Sequence, residues 1–179
     1  MAASLQATAA LAGDPQFQAR VQAAMITAAL NVAAEAKGTQ DLDTYQMRHT
    51  LAVKVLNSPQ QFITQFAWAA AANTTVAGDV GAPVSIASST AANPSVVTTA
   101  AAHGLSSGQW AEITGHLVNT ALDGTWPVTV LTTLTFSVPV LGTGTGGATG
   151  TVTVQPPDAD IQFAVNSIFS DMAGVGTTT

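Results

Sequence analysis

Apolar residues recur through the first third of the chain at steps of three and four. Phe17, Val21, Met25, Ala28 and Val32 fall on one helical face. Asp14-Pro15 opens that helix, because Asp caps free backbone N–H groups and Pro fits the first helical position. Gly38 is its expected stop. A second stripe, Leu42, Tyr45, Ala52, Val55 and Leu56, starts from Asp41 or Asp43. Ser58-Pro59 repeats the cap-plus-proline signal ahead of Phe62, Ile63, Phe66 and Ala70. A short helix over 3–12 precedes all of these. After Pro157-Asp158 the helical period returns with Ile161, Val165, Ile168, Phe169 and Met172.

Between the helical stretches the period changes to two. Short β-prone runs appear at 84–88, 95–99, 110–114, 125–131, 135–138 and 149–154, separated by turn residues. Asp123-Gly124 is a strong turn signal, and His103-Gly104-Leu105 with Ser106-Ser107-Gly108 forms a turn ahead of a strand. The pattern predicts an α+β protein. An antiparallel α-helical bundle, residues 1–81 with 156–179, carries a small all-β barrel or sandwich, residues 82–155, inserted before its last helix. Antiparallel pairing of the first and last strands would bring both ends of the insert together, so a host loop accepts it with little distortion. One amphipathic helix cannot bury its face alone, so the last helix is expected to return onto the first three.

Composition sharpens this picture. Hydrophobic residues reach 47%, enough for a core, while charged residues are only 8%, against roughly 25% in an average soluble domain. Two readings account for the deficit: a surface largely covered by other subunits, or a very stable monomer with a Thr/Ser/Asn surface. Net charge is −6, and all four basic residues, Arg20, Lys37, Arg48 and Lys54, lie in the first third. Phosphate-dominated nucleic-acid binding needs clustered positive charge, which most of the chain lacks. No run approaches the ~18 apolar residues of a membrane span. The N-terminus lacks the positive region of a signal peptide, so synthesis in a cytoplasm is the expectation. With no cysteine, disulfides, thiolate chemistry and cysteine-ligated zinc are excluded.

The remaining motifs have plain structural readings. Gly142, Gly144 and Gly147 match G-x-G-x-x-G, but a strand, TVTV, follows them. A dinucleotide site needs a helix there, so a flexible hairpin loop is expected instead. His49, His103 and His116 share no metal-binding spacing, and His103 is expected to hold its turn by hydrogen bonds. No G-x-S-x-G elbow accompanies the serines. No catalytic residue set emerges, nor any cofactor or metal site. The pairs Asp41/Asp43 and Asp158/Asp160 sit at helix starts, where negative charge is favoured. Trp68, Trp110 and Trp126 read as core rather than as a sugar-stacking platform. Asn73-Thr74-Thr75 matches a glycosylation acceptor. Gly174, Val175, Gly176, Thr177, Thr178 and Thr179 read as a disordered tail.

The segment VVTTAAAHGLSSGQWAEITGH, followed by ALDGTWPVTVLTTLTFSVPV, resembles a small β-barrel module common in structural proteins of tailed bacteriophages. It also resembles a β-module of ubiquitin-activating enzymes, whose cysteine and adenylation machinery are missing here. The frame Asp14-Pro15-x-Phe17-x-x-Arg20, Leu51-Ala52-x-x-Val55-Leu56-x-x-Pro59 and Ile161-x-x-Ala164-Val165 is similar to phage head-to-tail connectors. That resemblance implies a non-enzymatic virion neck protein, made in the bacterial host cytoplasm. It would form a ring of about a dozen copies between the portal and a tail or head-closure protein, with DNA passing the lumen unbound. The tail, residues 174–179, would order against the portal or a neighbouring subunit. The alternatives are a capsid decoration or tail structural protein, or a glycan-binding β-module using Trp110 or Trp126.

Overall fold

The computed structural model describes residues 2–35 and 42–172. They divide into two compact units, cut after Ala77 and after Pro157. Among the described residues there are six α-helices and seven β-strands, and the class is α+β.

The helical unit comprises α1 (Ala2–Gly13), α2 (Pro15–Ala34), α3 (Leu42–Asn57), α4 (Ile63–Ala72), α5 (Thr74–Gly78) and α6 (Asp158–Met172). Helix α2 begins as its sequence dictates: Asp14 Oδ1 accepts from the N–H groups of Gln16 (2.7 Å) and Phe17 (3.4 Å). Its stripe, Phe17, Val21, Met25, Ala28 and Val32, is buried. Helix α2 packs against α3, α4 and α6, and α1 packs against α4. Ala52 and Val55 fill the core from α3, Ile63, Phe66 and Ala70 from α4, and Ile161, Val165 and Phe169 from α6. The rings of Phe66 and Phe169 meet at 5.4 Å, tilted by 53°, a favourable aromatic geometry.

Helix α6 is tied to α2 by an ion pair across 138 residues of chain. Arg20 Nε donates to Asp158 Oδ1 at 2.6 Å, with side-chain exposures of 7% and 68%. A buried guanidinium needs such a partner. The aspartate that opens α6 therefore does more than favour the helix dipole.

Three helical expectations need correcting. Ser58 makes no side-chain cap; Pro59–Gln61 forms a 3-10 turn, and α4 starts at Ile63. Helix α5 was not foreseen. Asn73 Oδ1 accepts from Thr75 N at 3.0 Å, so the Asn-Thr-Thr triplet caps that short helix. Helix α2 ends at Ala34, with the Glu35 N–H bonded to the Val32 carbonyl; Gly38 lies outside the described residues.

The β unit contains β1 (Val84–Ser89), β2 (Ser95–Thr99), β3 (Trp110–Thr114), β4 (Gly124–Pro127), β5 (Thr129–Val130), β6 (Thr135–Val138) and β7 (Thr151–Val154). Their order is β4-β3-β7-β1-β2-β6-β5, with every pair antiparallel. This is a nearly closed barrel. The run 125–131, expected as one strand, is divided. Pro127 pairs with Trp110 of β3, whereas Thr129 pairs with Ser137 of β6. Only Val128 separates the two pieces, so the chain itself joins the ends of the strand order. Strand β1 makes the second corner: Val84 and Ser85 pair with β7, and Ile86 to Ser89 pair with β2 across a bulge. Ile86, Val97, Ile113, Leu122, Phe136 and Val152 lead the barrel core.

Among the described residues, no helix is long and apolar enough to cross a membrane.

Replacing Arg20 with Ala is expected to destabilise the helical unit by about 2 kcal/mol. Asp158→Asn is expected to cost less, because the exposed carboxylate is partly screened. Urea unfolding followed by far-UV circular dichroism measures both. A loss for Arg20→Ala no larger than for Lys54→Ala, an exposed position on α3, would show that the pair contributes nothing.

Candidate functional site

Antiparallel order sorts the barrel connections into two ends. Segments 90–94, 115–123 and 139–150 close one end. Segments 100–109 and 131–134, with both connections to the rest of the chain, lie at the other. The first end is the candidate interface, because its side chains are fixed in place yet turned outward.

Asn119 organises it. The side chain is fully buried. Its Nδ2 donates to Ser89 Oγ (3.2 Å) and to the Thr90 carbonyl (3.3 Å), and its Oδ1 accepts from Thr143 N (2.8 Å). One amide thus joins all three closing segments. The Asn119 N–H donates to His116 Nδ1 at 3.1 Å. Nδ1 is therefore the accepting ring nitrogen, and Nε2 is buried with no hydrogen-bond partner among the described residues. His116 N in turn donates to Asp123 Oδ1 at 3.0 Å, and the Leu117 N–H donates to Thr149 Oγ1 at 3.0 Å.

The glycine motif explains how segment 139–150 reaches this hub. A Cβ at Gly142 would collide with the Thr90 carbonyl oxygen. At Gly144 it would lie 2.5 Å from the Val118 carbonyl, and at Gly147 2.6 Å from Val118 Cγ2. Gly142 thus admits close approach to the backbone of Thr90 and Gly144 to that of Val118, while Gly147 makes room for the Val118 side chain. The expected flexible hairpin is instead a packed, cross-braced connection leading into β7.

The consequence is an exposed apolar tip on a fixed frame. Leu117 is 76% exposed, and its neighbour in sequence Val118 and Leu141 on segment 139–150 are exposed at the same end. Across the three segments the only charged residue is Asp123. Such a surface offers apolar contact and neutral hydroxyl or backbone hydrogen bonds, and it holds no Lys or Arg to neutralise a phosphate.

The other sequence candidates are dispersed. His103 sits at the opposite end, where Nδ1 accepts from Leu105 N and Nε2 donates to the Thr132 carbonyl, both at 3.0 Å. Its ring meets Phe136 edge-on, so it holds its turn. His49 stacks on Tyr45 in α3. Asp43 stands in the first turn of α3, and Asp160 joins Asp158 in that of α6. Asp41 and Gly174, Val175, Gly176, Thr177, Thr178 and Thr179 lie outside the described residues. Trp126 packs on the barrel core, with Nε1 donating to the Leu122 carbonyl at 2.8 Å and its ring over Gly124. It is in register with core-facing Ala111, one residue out of phase with Trp110. Successive strand residues face opposite ways, so the two tryptophans share no platform. Trp68, expected in the core, is 45% exposed on α4. Among the described residues, no group of three or more histidines and carboxylates is placed to hold a metal ion.

No protein-family model matches the chain, and no curated protein matches it.

The tip's dependence on Asn119 is testable. Asn119→Ala removes the partner of buried Ser89 Oγ and of the part-buried Thr90 carbonyl and Thr143 N–H, an expected loss of about 2 kcal/mol from the β unit. Gly142→Ala is expected to be comparably damaging. Gly108→Ala, where a Cβ meets open space, should cost only about 1 kcal/mol from its positive φ. Denaturant unfolding followed by tryptophan fluorescence ranks the three. Equal costs for Gly142→Ala and Gly108→Ala would refute the close-packing account.

Proposed function

We propose that this chain is a structural subunit of a tailed-phage virion, a head–tail adaptor at the neck. In this reading the helices form an antiparallel bundle, and bundles associate head-to-tail into a ring of about a dozen copies closed by rotation. The observation that carries the reading is the loop end of the barrel. It is braced by Asn119 and the glycines, nearly charge-free, and exposes Leu117, Val118 and Leu141. A monomer gains no stability from holding two leucines out in water on a fixed frame. An assembly protein gains a docking point whose ordering cost is already met.

Three further facts support it. Only 8% of residues are charged. A β unit is inserted between the helices, an arrangement suited to presenting a second surface. The helical frame and the barrel segment resemble the phage sequence patterns described above. The acidic chain would line or flank a DNA passage without adhering to it. The segment Gly174–Thr179 would contact the portal or a neighbouring subunit, and the β unit a neighbouring ring. Trp110 and Trp126, on opposite sides of their sheet, give the glycan-binding alternative no comparable support.

Quantitative mass spectrometry of purified particles, referenced to the major capsid protein, tests the reading. About a dozen copies per particle are expected. Hundreds of copies would move the chain to the capsid surface or tail tube, and absence from particles would overturn the virion assignment. Deleting Gly174–Thr179 is expected to weaken docking to the portal, and unchanged assembly would count against a tail-anchored adaptor. Leu117→Asp with Leu141→Asp is expected to leave the fold intact while lowering incorporation into particles.

A further inference from the structure

Three prolines meet on the outer surface of the barrel, where its closure stops. Strand β5 pairs with β6 through Val130↔Phe136 and Thr129↔Ser137, and the next step of that register sets Pro127 opposite Pro139. Strand β2 pairs with β6 as far as Ser95↔Val138, and the next step there sets Pro94 opposite Pro139. Proline has no N–H to give a ladder, so the β5–β6 pairing ends at this row. Val128 and Val138 are buried in the barrel core. Alternation therefore turns Pro127 and Pro139 outward, and all three prolines are exposed. Between the diverging strands lies a groove of about 480 Å³, with Pro127 and Thr129 from one run and Ser137 and Pro139 from the facing one. Among the described residues, no charged side chain lines it.

We propose that this groove takes the segment Gly174–Thr179 of a neighbouring copy, laid in as an extended chain. The inference rests on the assembly reading above and names the surface on which that segment docks. The chemistry of the groove selects the occupant. Its volume is that of a site burying one small ligand, so it admits a short stretch of chain and not a folded face. Its prolines can accept hydrogen bonds but cannot donate them, so the occupant has to bring the donors. Two internal or terminal stretches lie outside the described residues, 36–41 and 173–179. The first carries Lys37 and Asp41 and is held at both ends by helices. The second carries no charged side chain and no proline, so each of its residues offers an N–H. Val175, Thr177, Thr178 and Thr179 favour an extended backbone, and Gly174 and Gly176 permit close approach. Extended segments laid against a sheet take affinity from the main chain and selectivity from alternate side chains. Nucleic acid needs a basic cluster, and the β unit has no Lys or Arg. Segment and groove are different surfaces, so each copy gives one contact and receives another, as a head-to-tail ring requires.

Sedimentation velocity of the full-length chain over a wide concentration range tests this. The wild type is expected to associate. Deletion of Gly174–Thr179, and separately Thr129→Glu and Pro139→Glu in the groove, are each expected to raise the concentration needed by at least about tenfold, with far-UV circular dichroism unchanged. Ala102→Glu, exposed at the opposite end of the barrel, is expected to leave association unchanged. Mixing separates the two surfaces. The deleted chain keeps its groove and the Pro139→Glu chain keeps its segment. Together they are expected to form pairs at concentrations where neither associates alone, and a mixture without such pairs would overturn the proposal. Association weakened by the deletion but by neither folded groove variant would overturn the groove while leaving the assembly reading standing. Association that survives the deletion would overturn this contact and also leave that reading standing. A wild type that stays monomeric throughout would overturn the contact and count against a self-assembling ring. A groove variant that loses its circular dichroism signal is set aside, and the other is read in its place.

Discussion

An entire β unit interrupts a helical chain here, which is possible only because its first and last strands are neighbours. Val84 pairs with Val152, Ser85 pairs with Thr151, and the Gly81 N–H reaches the Val154 carbonyl at 3.1 Å. The chain therefore enters and leaves the barrel side by side. Loop-closure cost grows slowly with length when the ends are already close. The helical unit meets the matching requirement with Arg20. Its guanidinium, buried on α2, accepts as partner the residue with which the returning helix begins. Hydrophobic burial supplies most of the energy that seats α6, through Ile161, Val165 and Phe169. It does not by itself fix where along α2 the helix begins. A directional ion pair with one buried member does, because a shift of one turn would leave that charge unpaired.

Strand entry and exit at one end leave the other end free to be built from connections alone. Long connections usually lose order. Here Asn119 turns three of them into one cross-linked cap, and the glycines of 142–150 admit the backbone approach that the cap needs. The Asn119 amide meets donors and acceptors within the cap, and a buried amide engaged in this way favours one arrangement of the segments around it. The hydrophobic residues left outside, Leu117 and Leu141, are then held by the frame beneath them rather than by their own packing.

Much of the fold was legible in the sequence because the two periods are cleanly separated. β2, β3 and β6 fall on the residues that alternation marks, and the α2 stripe is the buried stripe. What was missed has physical causes. Val128 continues the β-prone run in composition, so sequence gives no sign that strand pairing changes partner there; only barrel closure requires it. Ser58-Pro59 has cap chemistry, but the chain takes a 3-10 turn first, and local signals cannot choose between these outcomes. Trp68 was assigned to the core by residue type, yet it sits two positions from Phe66 and Ala70 and so turns away from the face they share. The candidate site was the least legible part. G-x-G-x-x-G was visible, but its purpose depends on Val118 and Thr90, residues distant in sequence that only the fold brings beneath it.

Exposure of Trp68 and scarcity of charge belong to one pattern. A protein with few charges has to choose where to place them, and here the placement differs between surfaces. In the helical unit, Lys54, Asp158 and Asp171 on α3 and α6 are exposed, whereas Arg48 of α3 is mostly buried against Glu35 and Arg20 of α2 is buried against Asp158. In the β unit, the closing loops carry Asp123 alone, and a backbone N–H already engages it. Solubility asks for spread charge; contact with a like-charged neighbour asks for its removal from the surface that meets it. Thr/Ser/Asn richness accounts for a low total, but two pairs among the few charges have a fixed place: Arg20 with Asp158 and Glu35 with Arg48 tie α2 to the helices packed most heavily on it, α6 and α3.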